Sequence, residues 1–119
     1  MAKILVIEDS ETTRSYIRQL LEDEGHETMG AEDGSVGLKL VAQNRLDLVI
    51  TDIIMPEKEG IETIMLIKDK NPGLPVIAIS GVTLSDTYLQ SAKRFGAVAT
   101  LHKPFSKEEL MEAVNKALK

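Results

Sequence analysis

The chain has 119 residues, 28% of them charged, and a formal net charge of −5. That length suits one domain, residues 1–119, and leaves no room for a second. The acidic balance and the lack of a Lys/Arg cluster exclude a nucleic-acid surface, which needs basic groups to replace phosphate counterions. The absence of cysteine excludes disulfides and thiolate metal sites. No early segment has the pattern of a secretory signal, and no apolar run approaches the roughly 18 residues of a membrane span, so a cytoplasmic location without membrane insertion is expected.

The elements alternate. Ile4 to Ile7 is a short aliphatic run that reads as a buried strand, ending on Glu8-Asp9. Ser10 can cap a helix through Glu24, with Tyr16, Ile17, Leu20 and Leu21 at helical spacing and Gly25 as the stop. Glu27 to Ala31 is a weaker strand, suited to a sheet edge. Asp33-Gly34 opens a helix with Val36, Leu38, Leu40 and Val41 as its apolar positions, closed by Asn44. Leu46 to Thr51 is the most apolar strand, hence central, and ends on Asp52. A helix from about Gly60 to Asp69 follows and is closed by Asn71-Pro72-Gly73. Val76 to Ile79 ends on Ser80, and a helix from Ser85 to Phe95 stops at Gly96. Ala97 to Leu101 is the fifth strand, with Lys103 just beyond. Ser106-Lys107-Glu108-Glu109 has the spacing of a capping box and starts the last helix, with Leu110, Val114, Ala117 and Leu118 inward. Met55, Met65 and Met111 read as core or turn fillers.

Five βα units predict an open parallel sheet with helices on both faces, because crossovers are right-handed and the winding must reverse once. Ligands bind outside the carboxyl ends of such strands, and those ends carry Glu8, Asp9, Asp52, Ser80 and Lys103. Alone, each has a plainer account: an acidic pair starts helices, Asp52 suits a turn, and Lys103 before Pro104 suits a solvated loop. Their convergence on four strand ends favours one site. Two unit charges 4 Å apart repel by about 4 kcal/mol at an effective dielectric near 20, so three carboxylates there call for a cation beyond Lys103. Hard oxygen ligands suit Mg²⁺. With that compensation Asp52 can attack phosphorus as a nucleophile, with Ser80 donating to a phosphoryl oxygen.

These residues, with Met55-Pro56, Gly60, Gly81 and Pro104-Phe105 beside them, resemble response-regulator receiver domains of two-component signalling, of the stand-alone chemotaxis-regulator type, over the whole chain. The resemblance implies a flavodoxin-like five-stranded parallel sheet in the order 2-1-3-4-5. It implies that Asp52 is the phospho-acceptor, and that Asp9, Asp52 and the Ile54 backbone carbonyl bind Mg²⁺ while Glu8 helps through water. Lys103 would pair with the phosphoryl group, and Ser80 would be the switch hydroxyl, with Thr83 a further participant. The implied partners are a histidine kinase or phosphotransfer protein and a downstream effector reached through the fourth helix, fifth strand and last helix. Such a protein is not an enzyme, since it catalyses only its own phosphorylation and dephosphorylation.

Three features depart from the family pattern. Thr100 stands where receivers carry an aromatic that turns inward on activation, with His102 on the same side of the strand. Ile54 and Val82, two residues after Asp52 and Ser80, are apolar where the family often has polar groups that orient water, which predicts a long-lived phosphorylated form. Arg14 and Arg18 read as a solvated helix face or a partner contact. Other classes fit less well. A flavin-binding module would need a hydroxyl- and glycine-rich loop where Glu8-Asp9-Ser10-Glu11 stands, and a haloacid-dehalogenase-type phosphatase would need a second Asp at Ile54. The rival reading is a receiver-like scaffold that binds its partner without phosphate. The chain is either a stand-alone regulator or a segment of a longer one.

Overall fold

In a computed structural model, which describes residues 2–53, 59–81 and 85–119, five strands alternate with five helices. They run β1 (Lys3–Ile7), α1 (Glu11–Asp23), β2 (Glu27–Ala31), α2 (Gly34–Gln43), β3 (Leu48–Asp52), α3 (Glu59–Lys70), β4 (Val76–Ser80), α4 (Ser85–Arg94), β5 (Ala99–His102) and α5 (Lys107–Ala117). All strand pairs are parallel and the sheet order is β2-β1-β3-β4-β5. The flavodoxin-like order is therefore observed, with β2 at an edge.

Each central strand is apolar on both faces, and its alternate side chains feed two cores. Leu5, Ile7 and Val49 pack with Val41 of α2, Ile64 and Ile67 of α3 and Ala92 of α4. Ile4, Val6, Leu48, Ile50, Ile77 and Ile79 pack with Ile17 and Leu21 of α1 and Leu110 and Val114 of α5. The winding reverses beside β1, which opens the crevice at the carboxyl ends of β1 and β3. No helix among the described residues is long and apolar enough to cross a membrane.

Several boundaries and faces differ from expectation. β3 begins at Leu48 and includes Asp52, β4 includes Ser80, and β5 begins at Ala99, so the chemically active side chains sit on or directly beside ladder residues. In α2 the buried positions are Gly34, Gly37 and Val41, while Val36, Leu38 and Leu40 are half-buried. Small residues bring that helix close to β1: a Cβ on Gly37 would lie 2.4 Å from Ile7 Cδ1. Tyr16 and Met65 are exposed where apolar spacing placed them inward, and Met111 is half-buried. Met55 lies outside the described residues.

Candidate functional site: an acidic centre closed by a lysine

Four strands end at one place. The Ser80 carbonyl accepts from the Lys103 backbone N–H at 2.8 Å, and Ile79 accepts from Ile53 N–H at 3.0 Å, so the sheet ladder continues beyond the site and fixes its spacing. One carboxylate oxygen each from Glu8, Asp9 and Asp52 lies within 4.8 Å of the others, a set that could hold a metal ion. Lys103 Nζ donates to Glu8 Oε1 at 2.5 Å and to Asp52 Oδ2 at 2.8 Å. One ammonium thus spans the ends of β1 and β3 from the end of β5, next to the cis Lys103–Pro104 peptide.

Burial sorts the three acids. Glu8 and Asp52 are only 2% and 6% exposed, whereas Asp9 faces solvent. Buried charges persist only when paired, and Lys103 supplies the pairing for both. Burial alone would favour the neutral amine of Lys103, but hydrogen bonds and charge from Asp52 and Glu8 outweigh it and hold its pKa above the usual lysine value. Among the described residues Asp9 has no such cation. Its hydrogen bond with Glu8, partial burial and the Glu8 charge raise its pKa above the usual carboxylate value. The donor set is hard, anionic and two positive charges short of balance, three carboxylates against the one Lys103 ammonium, which fits a small divalent cation such as Mg²⁺.

Local structure holds these groups. Ser10 caps α1 by accepting from Thr13 N–H, and its own N–H donates to Glu8 Oε2 at 3.0 Å, so the positive end of the helix faces the acidic pair. Ser80 is fully buried, and its Oγ has no hydrogen-bond partner among the described residues. Such a hydroxyl beside Asp52 is a donor waiting for an acceptor.

Glu8, Asp9, Asp52 and Lys103 are thus brought together, with Ser80 on the adjoining strand end. Ile54, Val82 and Thr83 lie outside the described residues. Thr100 is half-buried and His102 exposed. Thr100 lines a groove of about 360 Å³ with Lys93 of α4 and Glu109, Glu112 and Lys116 of α5. Arg14 and Arg18 do not form a solvated face. Both are half-buried, Arg14 donating to the Glu8 carbonyl at 2.7 Å and Arg18 to Thr28 Oγ1 at 3.0 Å. The position of Arg14, four residues after the Ser10 cap and so on the same helix face, was the available signal.

Residues 4–115 match the response regulator receiver domain family, and the chain belongs to that family of two-component signalling domains. It is 36% identical to Protein PilH of Pseudomonas aeruginosa, covering 99% of this chain and 98% of that one. It is also 37% identical to the DNA-binding transcriptional regulator NtrC of Azospirillum brasilense, covering 98% of this chain but only 24% of that longer protein. The structure of the response regulator TrrA from Thermotoga maritima, in complex with Mg²⁺ and BeF, superposes with a TM-score of 0.88 at 32% identity, covering 99% of this chain and 100% of that one.

Proposed function

We propose that this receiver takes a phosphoryl group from a histidine kinase or phosphotransfer protein onto Asp52, and that Mg²⁺ is required. The observation that carries the reading is the pairing of the buried Asp52 carboxylate with Lys103, beside two further acids and a buried Ser80 hydroxyl that has no partner among the described residues. Asp9 and Asp52 would hold the metal, with the Ile54 backbone carbonyl as the family resemblance implies, and Glu8 would assist through water. When bound, Mg²⁺ neutralises charge on the phosphoryl oxygens and lets them approach the acids. The Asp52 carboxylate forms a bond to phosphorus as the bond to the donor imidazole nitrogen breaks, and that nitrogen keeps the electron pair. Lys103 keeps its proton throughout and transfers its hydrogen bonds toward the new phosphoryl oxygens. Ser80 donates to one of them, which satisfies its hydroxyl.

The two states differ by those contacts, and only differential contacts shift a population. The groove between α4, β5 and α5 is the surface that reports the shift to an effector protein, without an aromatic at Thr100 to signal it. The chain acts in the cytoplasm and catalyses only its own modification. Apolar Ile54 and Val82 leave water poorly oriented, so the acyl phosphate is long-lived, and Ile54→Asn should shorten its lifetime.

Intact mass tests the acceptor: wild type and Asp52→Asn are incubated with phosphoramidate, with Mg²⁺ or with chelator. An adduct of about 80 Da, the mass of an added phosphoryl group, is expected only in wild type with Mg²⁺. No adduct despite bound metal would favour the phosphate-independent scaffold.

A further inference from the structure

Arg14 stands one turn into α1 and is half-buried, yet among the described residues its side chain pairs with none of the carboxylates of the centre. Its Nη1 donates instead to the backbone carbonyl of Glu8 at 2.7 Å. That carbonyl belongs to the peptide unit joining Glu8 to Asp9, so its direction sets the direction in which Asp9 leaves the strand. The rest of Glu8 is held by other groups: its N–H by the Ala31 carbonyl at 3.0 Å, Oε2 by Ser10 N–H, and Oε1 by Lys103.

The arginine has a seat. On β2, a Cβ added to Gly30 would lie 3.1 Å from Arg14 Cδ and 3.2 Å from Arg18 Nη1. The bare backbone at Gly30 leaves space for both side chains on the edge strand, and a larger residue there would have to push them aside. Arg18 uses that space to reach Thr28, and Arg14 uses it to reach the acidic turn.

We infer that Arg14 is a positioning residue for Mg²⁺: from its seat on Gly30 it fixes the Glu8–Asp9 peptide and thereby sets the metal affinity of the acidic centre. This rests on the reading that Glu8, Asp9 and Asp52 serve the metal. The field of Arg14 acts in the opposite sense, because a cation near three carboxylates opposes a second cation. Losing the arginine should therefore tighten Mg²⁺ binding if charge dominates and weaken it if position does.

Calorimetric titration of MgCl₂ into the full chain separates these, with thermal unfolding of the metal-free proteins alongside. Arg14→Ala should weaken Mg²⁺ roughly tenfold, the scale seen when a group that orients a metal ligand is lost. Arg14→Lys should recover part of that. Gly30→Val should weaken Mg²⁺ with the arginine still present and without lowering the metal-free unfolding midpoint, a split that a purely structural role would not produce. The Gly30→Val/Arg14→Ala pair should bind no more weakly than the weaker single variant, since both act through one contact. Equal or tighter binding by Arg14→Ala, or fully additive losses in the pair, would overturn the inference. A wild type that takes up no Mg²⁺ would instead overturn the metal reading beneath it.

Discussion

A hydroxyl buried without a partner costs about 1–3 kcal/mol relative to a satisfied one, and Ser80 has no partner among the described residues. Ser80→Ala should therefore hold or raise the urea midpoint while lowering the steady-state yield of the Asp52 adduct. A variant that is both less stable and equally phosphorylated would remove Ser80 from the site. Asp9 gives a second residue-scale expectation. Its folded pKa is raised, so the folded chain binds this proton more tightly than the unfolded chain does. The stability it contributes is present below the ordinary carboxylate pKa of 3.8 and is lost as pH rises through the raised value. Metal-free Asp9→Asn should thus be more stable than wild type at pH 7, with the gap closing on acidification. Saturating Mg²⁺ should reduce or reverse the gap, because only wild type gains the full ligand set. Denaturant melts across pH, with and without metal, check both halves. At this scale Glu8, Asp9, Asp52, Ser80 and Lys103 were legible as a cluster because each lies within two residues of the end of an apolar run. The Arg14 bond to the Glu8 carbonyl was marked only by the spacing of Arg14 from Ser10, which gives a helix face but not a partner, because a main-chain acceptor leaves no mark in side-chain composition.

The α2 helix shows what an element can hide. Periodicity marked its leucines and valines, but the residues it buries include Gly34 and Gly37, and the lack of a side chain at Gly37 is what permits the approach to Ile7. Gly37→Ala gains about 1 kcal/mol of helix propensity but drives a methyl into Ile7, and overpacking of this kind costs about 1–3 kcal/mol. The net change should be destabilising, read as a lowered urea midpoint, and Gly37→Ala combined with Ile7→Val should recover part of it. Caps were more readable than faces. Ser106 and Glu109 form the reciprocal capping box that their spacing announced, at 3.0 Å in each direction, because that bonding is local in sequence. Strand ends shifted by one or two residues where pairing with a neighbour, rather than local preference, decides the last ladder position.

Across the whole molecule, five βα units in the order 2-1-3-4-5 followed from alternation of apolar runs and the handedness of crossovers, with the particular order supplied by family resemblance. Neither required the side-chain detail of the site. Mg²⁺ that binds only the folded chain must stabilise it, by about 2.7 kcal/mol at a concentration one hundred times Kd. The thermal midpoint should rise with MgCl₂ and fall back on chelation, and Asp9→Asn should blunt the rise. Lys103 reaches across 95 residues to Glu8 and 51 to Asp52. Contacts so distant along the chain form late, after their loops have closed. During synthesis, the acids of β1 and β3 leave the ribosome well before their counter-ion does. A nascent chain that has not yet exposed residue 103 can collect its carboxylates but cannot neutralise them. The salt contact therefore closes last: Glu8 and Asp52 gain their shared ammonium only when the fifth strand has been made and has taken its place at the far edge of the sheet.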